Sequence, residues 1–484
     1  MIFRTTWVLI AISCVACGSK KDADVARTGS GGAELVERGR LFSEAELTTL
    51  VDGMTKRLDA NAHRSCSGPR VRGAELGPGP SGPLLVELFE AQGELAACMA
   101  RLEELAKGDL RKAIDELDPA MVAFDSECGA SIAAKVVAAA GHAEGCSPYQ
   151  VGVRREPKDL IHVLHVMHAV AFHAHRMAAA GDTTEAIQLD LDALRAFQDL
   201  ARGHVTMLSA MLSVAAMETM SESLDGALDT AKLDAAQLAT AADALDRLTA
   251  DAPRFAEILE GEYENMEIYF GAAQLMPKSW TPPGGWNEEL HGTGGDGGLF
   301  KSDPDVNQRD LAGLFLTLTL ENRAELAKVC GSDATYRQCV EGLTRLTRLS
   351  GTHGSETPAV PDLKPLYADL AKATTSGDTT AVRLRIRSSI IQVLRSVAQA
   401  AYEKYAVKLA LGVARLAELR LHVEVLRGKT CPTTGQLAAP PYDRIARPLA
   451  LGDGLDLKAS PGQIEVHQPA WSDPTKVWTF HCGG

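Results

Sequence analysis

The stretch HVLHVMHAVAFHAHR, residues 162 to 176, places five histidines in fifteen positions. The whole chain has only thirteen. Imidazoles at this density can bind a metal, face a haem, respond to pH near neutrality, or form the polar side of a helix. At about 100° per residue, Leu160, Val163, Leu164, Val166, Met167, Val170, Ala174 and Met177 fall on one half of a helix. His162, His165, His168, His173, His175 and Arg176 fall on the other. The histidines spread over about 160° of arc, so one ion cannot take them all. The close pairs are His162/His165 and His165/His168, which makes His162, His165 and His168 the metal candidates. They would need further ligands from other helices, and no HExxH or Glu-x-x-His pattern supplies them. Ile161 and Phe172 lie within the same half, so that face packs in part against a neighbour. A structural polar face is the leading reading, with metal binding and pH response as alternatives.

Other chemistry-bearing patterns stop short. DPDVNQRD sets Asp303, Asp305 and Asn307 at calcium-loop spacing, but Gln308 replaces the required Gly and Leu314 the bidentate Glu. HGTGGDGG lacks the Lys-Ser/Thr ending of a phosphate loop. His353 and Ser355 in GTHGSE are neighbours in sequence, which seldom yields triad geometry. Met207, Met211, Met217 and Met220 are read as core packing. No catalytic motif emerges, the chain is not read as an enzyme, and no cofactor is called for.

The cysteines carry a second kind of chemistry. Beyond Cys14 and Cys17 there are eight: Cys66, Cys98, Cys128, Cys146, Cys330, Cys339, Cys431 and Cys482. An even number with no CxxC pair suggests disulfides in an oxidising compartment. Cys330–Cys339 is the first pairing expected, followed by Cys128–Cys146 and Cys431–Cys482.

The N-terminus explains how the chain would reach such a compartment. MIFRTTWVLIAISCVAC has a one-arginine start, an apolar stretch too short to span a bilayer, and small residues leading into a cysteine. That is the layout of a bacterial lipoprotein signal, with cleavage before Cys17 and acylation of its thiol by palmitate-type chains. Cys14 is the alternative. Gly18 and Ser19 carry no acidic retention residue, which points to the outer membrane. Residues 18–42 are then a flexible tether, 43–430 a helical body, and 431–484 an irregular tail with a few short strands.

The elements that must position these residues are overwhelmingly helical. The 484 residues are 45% hydrophobic but only 5% aromatic, a balance that favours helices. Periodicity and breakers predict helices at 84–107, 109–140, 158–180, 183–203, 205–229, 233–250, 252–275, 306–330, 334–349, 362–375, 379–399 and 400–428. Ser43 and Glu46 have capping-box spacing. GDTT at 181 and 377 marks two hairpins, with Gly at the left-handed C-cap and Asp or Thr capping the next helix. The fold expected is all-α, a multi-helix array of stacked hairpins. The loop at 277–305 carries Trp280, Trp286 and Phe300 and is a candidate interaction element. A net charge of −14 without a Lys/Arg stripe argues against nucleic acid as a partner.

HAHRMAAAGDTTEAIQLDLDALRAFQDLARGHVTMLSAMLSVAAMETMSESLD, then LDAAQLATAADALDRL and FAEILEGEYENM, resembles an uncharacterised family of helical exported envelope proteins. The ending YAVKLALGVARLAELRLHVEVLRGKTCPTTGQLAAPPYDRIARPLAL is similar to that family's close, a long helix running into a short tail. The resemblance covers most of 145–450 and implies a helical exported protein rather than an activity. Together these readings anticipate a lipid-anchored envelope protein, a scaffold or binding module with an envelope protein as partner and the membrane as its anchor. The alternative is a periplasmic metal-binding protein or metallohydrolase using the His162–His175 face.

Overall fold

The computed structural model describes residues 42–62, 77–108, 110–145, 147–151, 161–268, 308–331, 334–349, 380–472 and 475–482, with isolated positions at 275, 369 and 372. Cys14, Cys17, Cys66, Cys146, the expected tether up to residue 41 and the loop at 277–305 lie outside them; Phe42, placed at the tether's end, is buried. In chain order the main elements are α1 (Glu44–Ala62), β1 (Gly77–Pro80), α2 (Gly82–Phe89), α3 (Leu95–Leu105), α4 (Pro119–Phe124), α5 (Ala130–Ala140), β2 (His142–Glu144), α6 (Ile161–Ala180), α7 (Thr183–Gln198), α8 (Met207–Thr230) and α9 (Ala235–Ala250). There follow α10 (Phe255–Met266), α11 (Gln308–Val329), α12 (Tyr336–Leu349), α13 (Thr380–Gly428), β3 (Asp456–Ser460), β4 (Gln463–His467) and β5 (Val477–His481). The protein is mostly helical with a small antiparallel sheet at its C-terminal end, as the composition predicts. No described helix is long and apolar enough to cross a membrane.

The chain divides into two units, the first drawing on residues up to 62, 263–323 and 350–398. Its α1 starts at the expected capping box: the Ser43 amide donates to Glu46 Oε2 at 2.7 Å and the Glu46 amide to Ser43 Oγ at 3.3 Å. Phe42, Leu47, Met54 and Leu58 are buried along one face. Gly313 permits the close approach of α11, since a Cβ there would meet Leu47 at 2.7 Å and Phe42 at 2.9 Å. Arg323 reaches Glu267 at 3.1 Å and Glu264 at 3.4 Å, and Arg57 reaches Glu267 at 2.9 Å. Burial pushes the Glu267 carboxyl up, and the two guanidiniums oppose that shift.

The second unit takes 63–262, 324–349 and 399–484. Helix α7 is its centre, packed on α5, α6, α8 and α9. Phe89, Val170, Phe172, Leu194, Phe197, Leu224, Leu245, Leu419 and Val423 are fully buried in one core. Each such side chain contributes about 1.5–3 kcal/mol by leaving water. Gly181 adopts φ +100° between α6 and α7, as the hairpin reading requires. Asp182 sits at the N-cap of α7 but makes no side-chain capping bond.

Several predicted boundaries move for identifiable reasons. The helix expected at 84–107 is broken into α2 and α3 where Ala91 and Gly93 take positive φ. That expected at 109–140 is interrupted at Leu117, also at positive φ, and restarts at Asp118, whose carboxylate accepts from the Ala120 amide at 2.8 Å. Asp125–Gly129 then forms a π-helical turn. The helices expected at 379–399 and 400–428 are one 49-residue helix, α13. Gln399-Ala400-Ala401 contains no breaker, so nothing there stops propagation.

The C-terminal tail is more ordered than expected. Its strands form an antiparallel meander in the order β3-β4-β5, joined tightly at Pro461-Gly462, with Gly462 at φ +77°. Alternation places Ile464 and Val466 with Trp478 and Phe480 on the inner face. β1 and β2 add a short parallel pair.

Among the described residues, three disulfides brace the second unit. Cys330–Cys339 (Cα separation 4.7 Å) and Cys431–Cys482 (5.1 Å) pair as expected. Cys128, however, pairs with Cys98 (5.8 Å), not Cys146. Helix α3 lies beside the π turn that carries Cys128, a proximity the 18-residue spacing to Cys146 does not reveal.

Candidate functional site

The histidine helix, α6, does not present a free polar face. His162 directs Nδ1 at the Phe89 carbonyl, 3.2 Å away, and Nε2 at Glu103. His168 directs Nδ1 at the carbonyl of Leu164 in its own helix, 2.8 Å away. His165 is buried, its ring centroid 6.4 Å from that of His162. His162, His165 and His168 therefore serve different neighbours, and no group of three or more metal-type ligands converges among the described residues. The apolar half behaves as expected, with Val163, Val166, Met167, Val170 and Ala174 buried. Burial of His165 and Phe172 shows that the other half is packed as well.

His173 is placed differently. Its Nδ1 lies 2.8 Å from Oδ1 of Asp125, whose side chain is 1% exposed. Arg176, one turn further along α6, sets NH1 2.9 Å from the other oxygen, Oδ2, and donates to Ser126 Oγ and the Val122 carbonyl. Asp125 opens the π turn and Gly129 closes it. A Cβ at 129 would lie 1.8 Å from Asp125 Oδ1 and 3.0 Å from His173 Nδ1, so only glycine leaves room for this pair. Gly129→Ala is expected to break the contact and cost about 1–3 kcal/mol. Thermal unfolding would measure the cost, and an unshifted midpoint would contradict it.

A second His–Asp pair lies where α13 meets α8 and β5. Arg415, Glu418 and His422 sit at i, i+3 and i+7 on α13, one stripe of a helix. His422 Nδ1 lies 2.8 Å from Asp225 Oδ1, and Nε2 lies 3.4 Å from Asp229. Arg415 donates to Asp225 Oδ2 at 3.1 Å, forms an ion pair with Glu418, and lies 5.6 Å below the Trp478 ring centroid. Phe480 stacks on His422 at 4.7 Å, sealing an imidazole only 1% exposed. Burial pushes the Glu418 carboxyl well up despite the charge of Arg415. At Asp225 burial also acts upward, but the hydrogen bond from His422 and the Arg415 guanidinium outweigh it and hold that carboxyl low.

Asp190 in α7 is another buried acid. Desolvation raises it well above its ordinary 3.8, and the hydrogen bond from Ser223 Oγ, 3.1 Å long, opposes this only in part. An acid with a raised folded-state pKa costs nothing below 3.8 and weakens the fold increasingly as pH climbs toward the folded value. Asp190→Asn keeps the shape without the charge. Its stability relative to wild type is therefore expected to be near zero at pH 4 and to rise with pH by about 1.4 kcal/mol per unit through that window. Denaturant titrations from pH 4 to 8 would check it, and a pH-independent difference would count against it.

In the first unit an open cleft of about 400 Å³ is lined by Phe42, Ala45, Glu46, Thr49, Leu50 and Thr317. Its charged side chain, Glu46, is already committed to the α1 cap.

Sequence reading missed Asp125, Gly129 and the Arg415-Glu418-His422 stripe. The signal for the stripe was present, because three polar residues share one face within the apolar run LALGVARLAELRLHVEVL. The signal for Asp125 was not, since a π turn has no period to read. The fold and site define a disulfide-braced helical protein with a small C-terminal sheet and, among the described residues, His–Asp pairs at His173 and His422. No protein-family model, curated protein or solved structure matches the chain.

Proposed function

We propose that the chain is an exported, lipid-anchored helical protein of the bacterial envelope, acting as a scaffold or binding module. The supporting observation is the set of three bonded cysteine pairs in the second unit. Such bonds persist in oxidising compartments and are rare where thiols are kept reduced. Acylation at Cys17 would anchor the chain at the outer membrane, and residues 18–41 would hold the body away from the lipid. An envelope protein is the partner that suits this placement.

Intact mass spectrometry of the protein extracted from membranes tests the reading. The expected chain begins at Cys17, carries a glyceryl lipid, and gains two hydrogens per bridge on reduction. Cys17→Ser is expected to release it from the membrane fraction. An unlipidated full-length chain with free thiols would overturn the proposal.

A further inference from the structure

We propose that the seat of the C-terminal meander on α13 and α8 is a pH-sensitive joint, closed while His422 carries a proton on both ring nitrogens and loosened when one of them leaves. His422 Nδ1 lies 2.8 Å from Asp225 Oδ1, and Nε2 lies 3.4 Å from Asp229 Oδ1. Ionised carboxylates only accept hydrogen bonds, and a neutral imidazole has one N–H to give. A neutral ring would therefore turn a lone pair toward one of the two anions, whereas the imidazolium has a proton for each. Nε2 is buried, and no described donor hydrogen-bonds to it. At His173 the ring is 19% exposed, and solvent can serve its second nitrogen; at His422 it is 1% exposed under Phe480, and solvent cannot.

The other charges around the ring come from three directions. Helix α8 supplies Glu218, Glu222, Asp225 and Asp229, spaced i, i+4, i+7 and i+11 along one stripe. Helix α13 supplies Arg415 and Glu418, while its Arg420 is engaged with Asp246 of α9 and with Glu424. Lys476, just before β5, lies 3.6 Å from Glu218, and His481 at the end of β5 is exposed. Burial pushes the Glu418 carboxyl well up, which favours its uncharged form. Arg415 and protonated His422 then match Asp225 and Asp229 in number. Loss of the His422 proton leaves the site one positive charge short.

The meander rests on these two cations. Phe480 stacks on the His422 ring at 4.7 Å, and the Trp478 ring lies 5.6 Å from the Arg415 guanidinium. Deprotonation thus takes a cation from beneath Phe480 and a proton from the nitrogen that faces Asp229. Contact with two carboxylates favours the charged ring, so its stabilising effect is present on the acid side and is lost as pH rises past the point where the ring gives up its proton. Histidine is the side chain whose charge changes near neutrality. Asp225 is held low, so the contact survives acidification until that carboxyl is itself protonated. The Cys431–Cys482 bond ties the end of β5 to the chain just beyond α13, and a loosened meander stays attached.

Hydrogen–deuterium exchange of the full chain, with its disulfides intact, tests the joint. After division by the intrinsic rate at each pH, the amides of β4 and β5 should lose protection at least about tenfold between pH 6 and pH 9, relative to those of α7. That is the scale of one hydrogen bond to a charged group. His422→Gln keeps a donor for Asp225 but has no proton to lose. It should exchange at pH 6 as the wild type does at pH 9, and the two proteins should coincide at pH 9. A gap of equal size at both pH values would mark a merely structural role and overturn the proposal, as would wild-type protection that does not change with pH. Nitrogen-15 NMR should find both ring nitrogens of His422 protonated at pH 6, and a neutral ring there would also overturn it. Should His422→Gln fail to fold, the ring and the wild-type exchange profile still decide. No readout depends on Cys17 or its lipid, so failure here is separable from failure of the anchoring proposal.

Discussion

Replacing Arg415 with methionine is expected to destabilise the second unit by about 3–5 kcal/mol, the cost of leaving buried acids without their cation. Arg415 serves two carboxylates at once: Glu418, whose side chain is 0% exposed, and Asp225. Methionine preserves much of the apolar stem beneath Trp478 but none of the charge. Glu418 is already held above the ordinary carboxylate range, and losing Arg415 removes the strongest force acting against that shift. The deficit should therefore be largest at neutral pH and shrink on acidification, as Glu418 takes up a proton and ceases to need a cation. Adding Glu418→Gln to the methionine variant should recover part of the loss, while Asp225 still keeps His422. Guanidinium unfolding followed by circular dichroism measures both. A loss below about 1 kcal/mol, the range of exposed pairs, would mean that this charge network does not hold the helix to its neighbours.

Gly261→Ala is the second large effect, and it runs against local propensity. In an exposed helix interior alanine is better than glycine by about 1 kcal/mol. In α10, however, a Cβ at 261 would lie 2.3 Å from the Val205 carbonyl oxygen and 2.6 Å from the His204 carbonyl carbon. Both are backbone atoms, which cannot swing aside as a side-chain tip can. The adjacent Glu262 carboxylate also accepts from the Met207 amide at 2.8 Å, so α10 cannot slide away without uncapping α8. The expected net loss is about 3 kcal/mol, at the upper end for overpacked sites. A variant as stable as the wild type would show that the crossing is looser than these distances imply.

The two variants probe what the sequence left unread. Helix type and approximate position were legible because the apolar residues of α6 to α9 recur at helical spacing and their ends carry Gly181, Thr206 and Asp234. Of the three expected cysteine pairings two formed, and one of these, Cys330–Cys339, followed from its short connecting loop. Cys98–Cys128 did not, because it joins elements that are neighbours only in space. The histidine helix was read as amphipathic with a polar half packed in part against a neighbour, and that half is partly covered in the structure. Packing on that side buries His165 and Phe172 and gives His162 and His173 carboxylate partners from other elements.

Hydrophobic periodicity, caps and cysteine parity are local quantities, written in the order of residues, and by themselves they determined an all-helical body with bonded cysteines. The positions that matter for chemistry depend on approach distances between elements far apart in the chain. Whether a histidine meets an aspartate, or a glycine sits under a carbonyl, depends on crossings fixed only when the core closes. The tertiary structure therefore decided that, of two His–Asp pairs with the same contact, one is sealed under Phe480 and the other faces solvent.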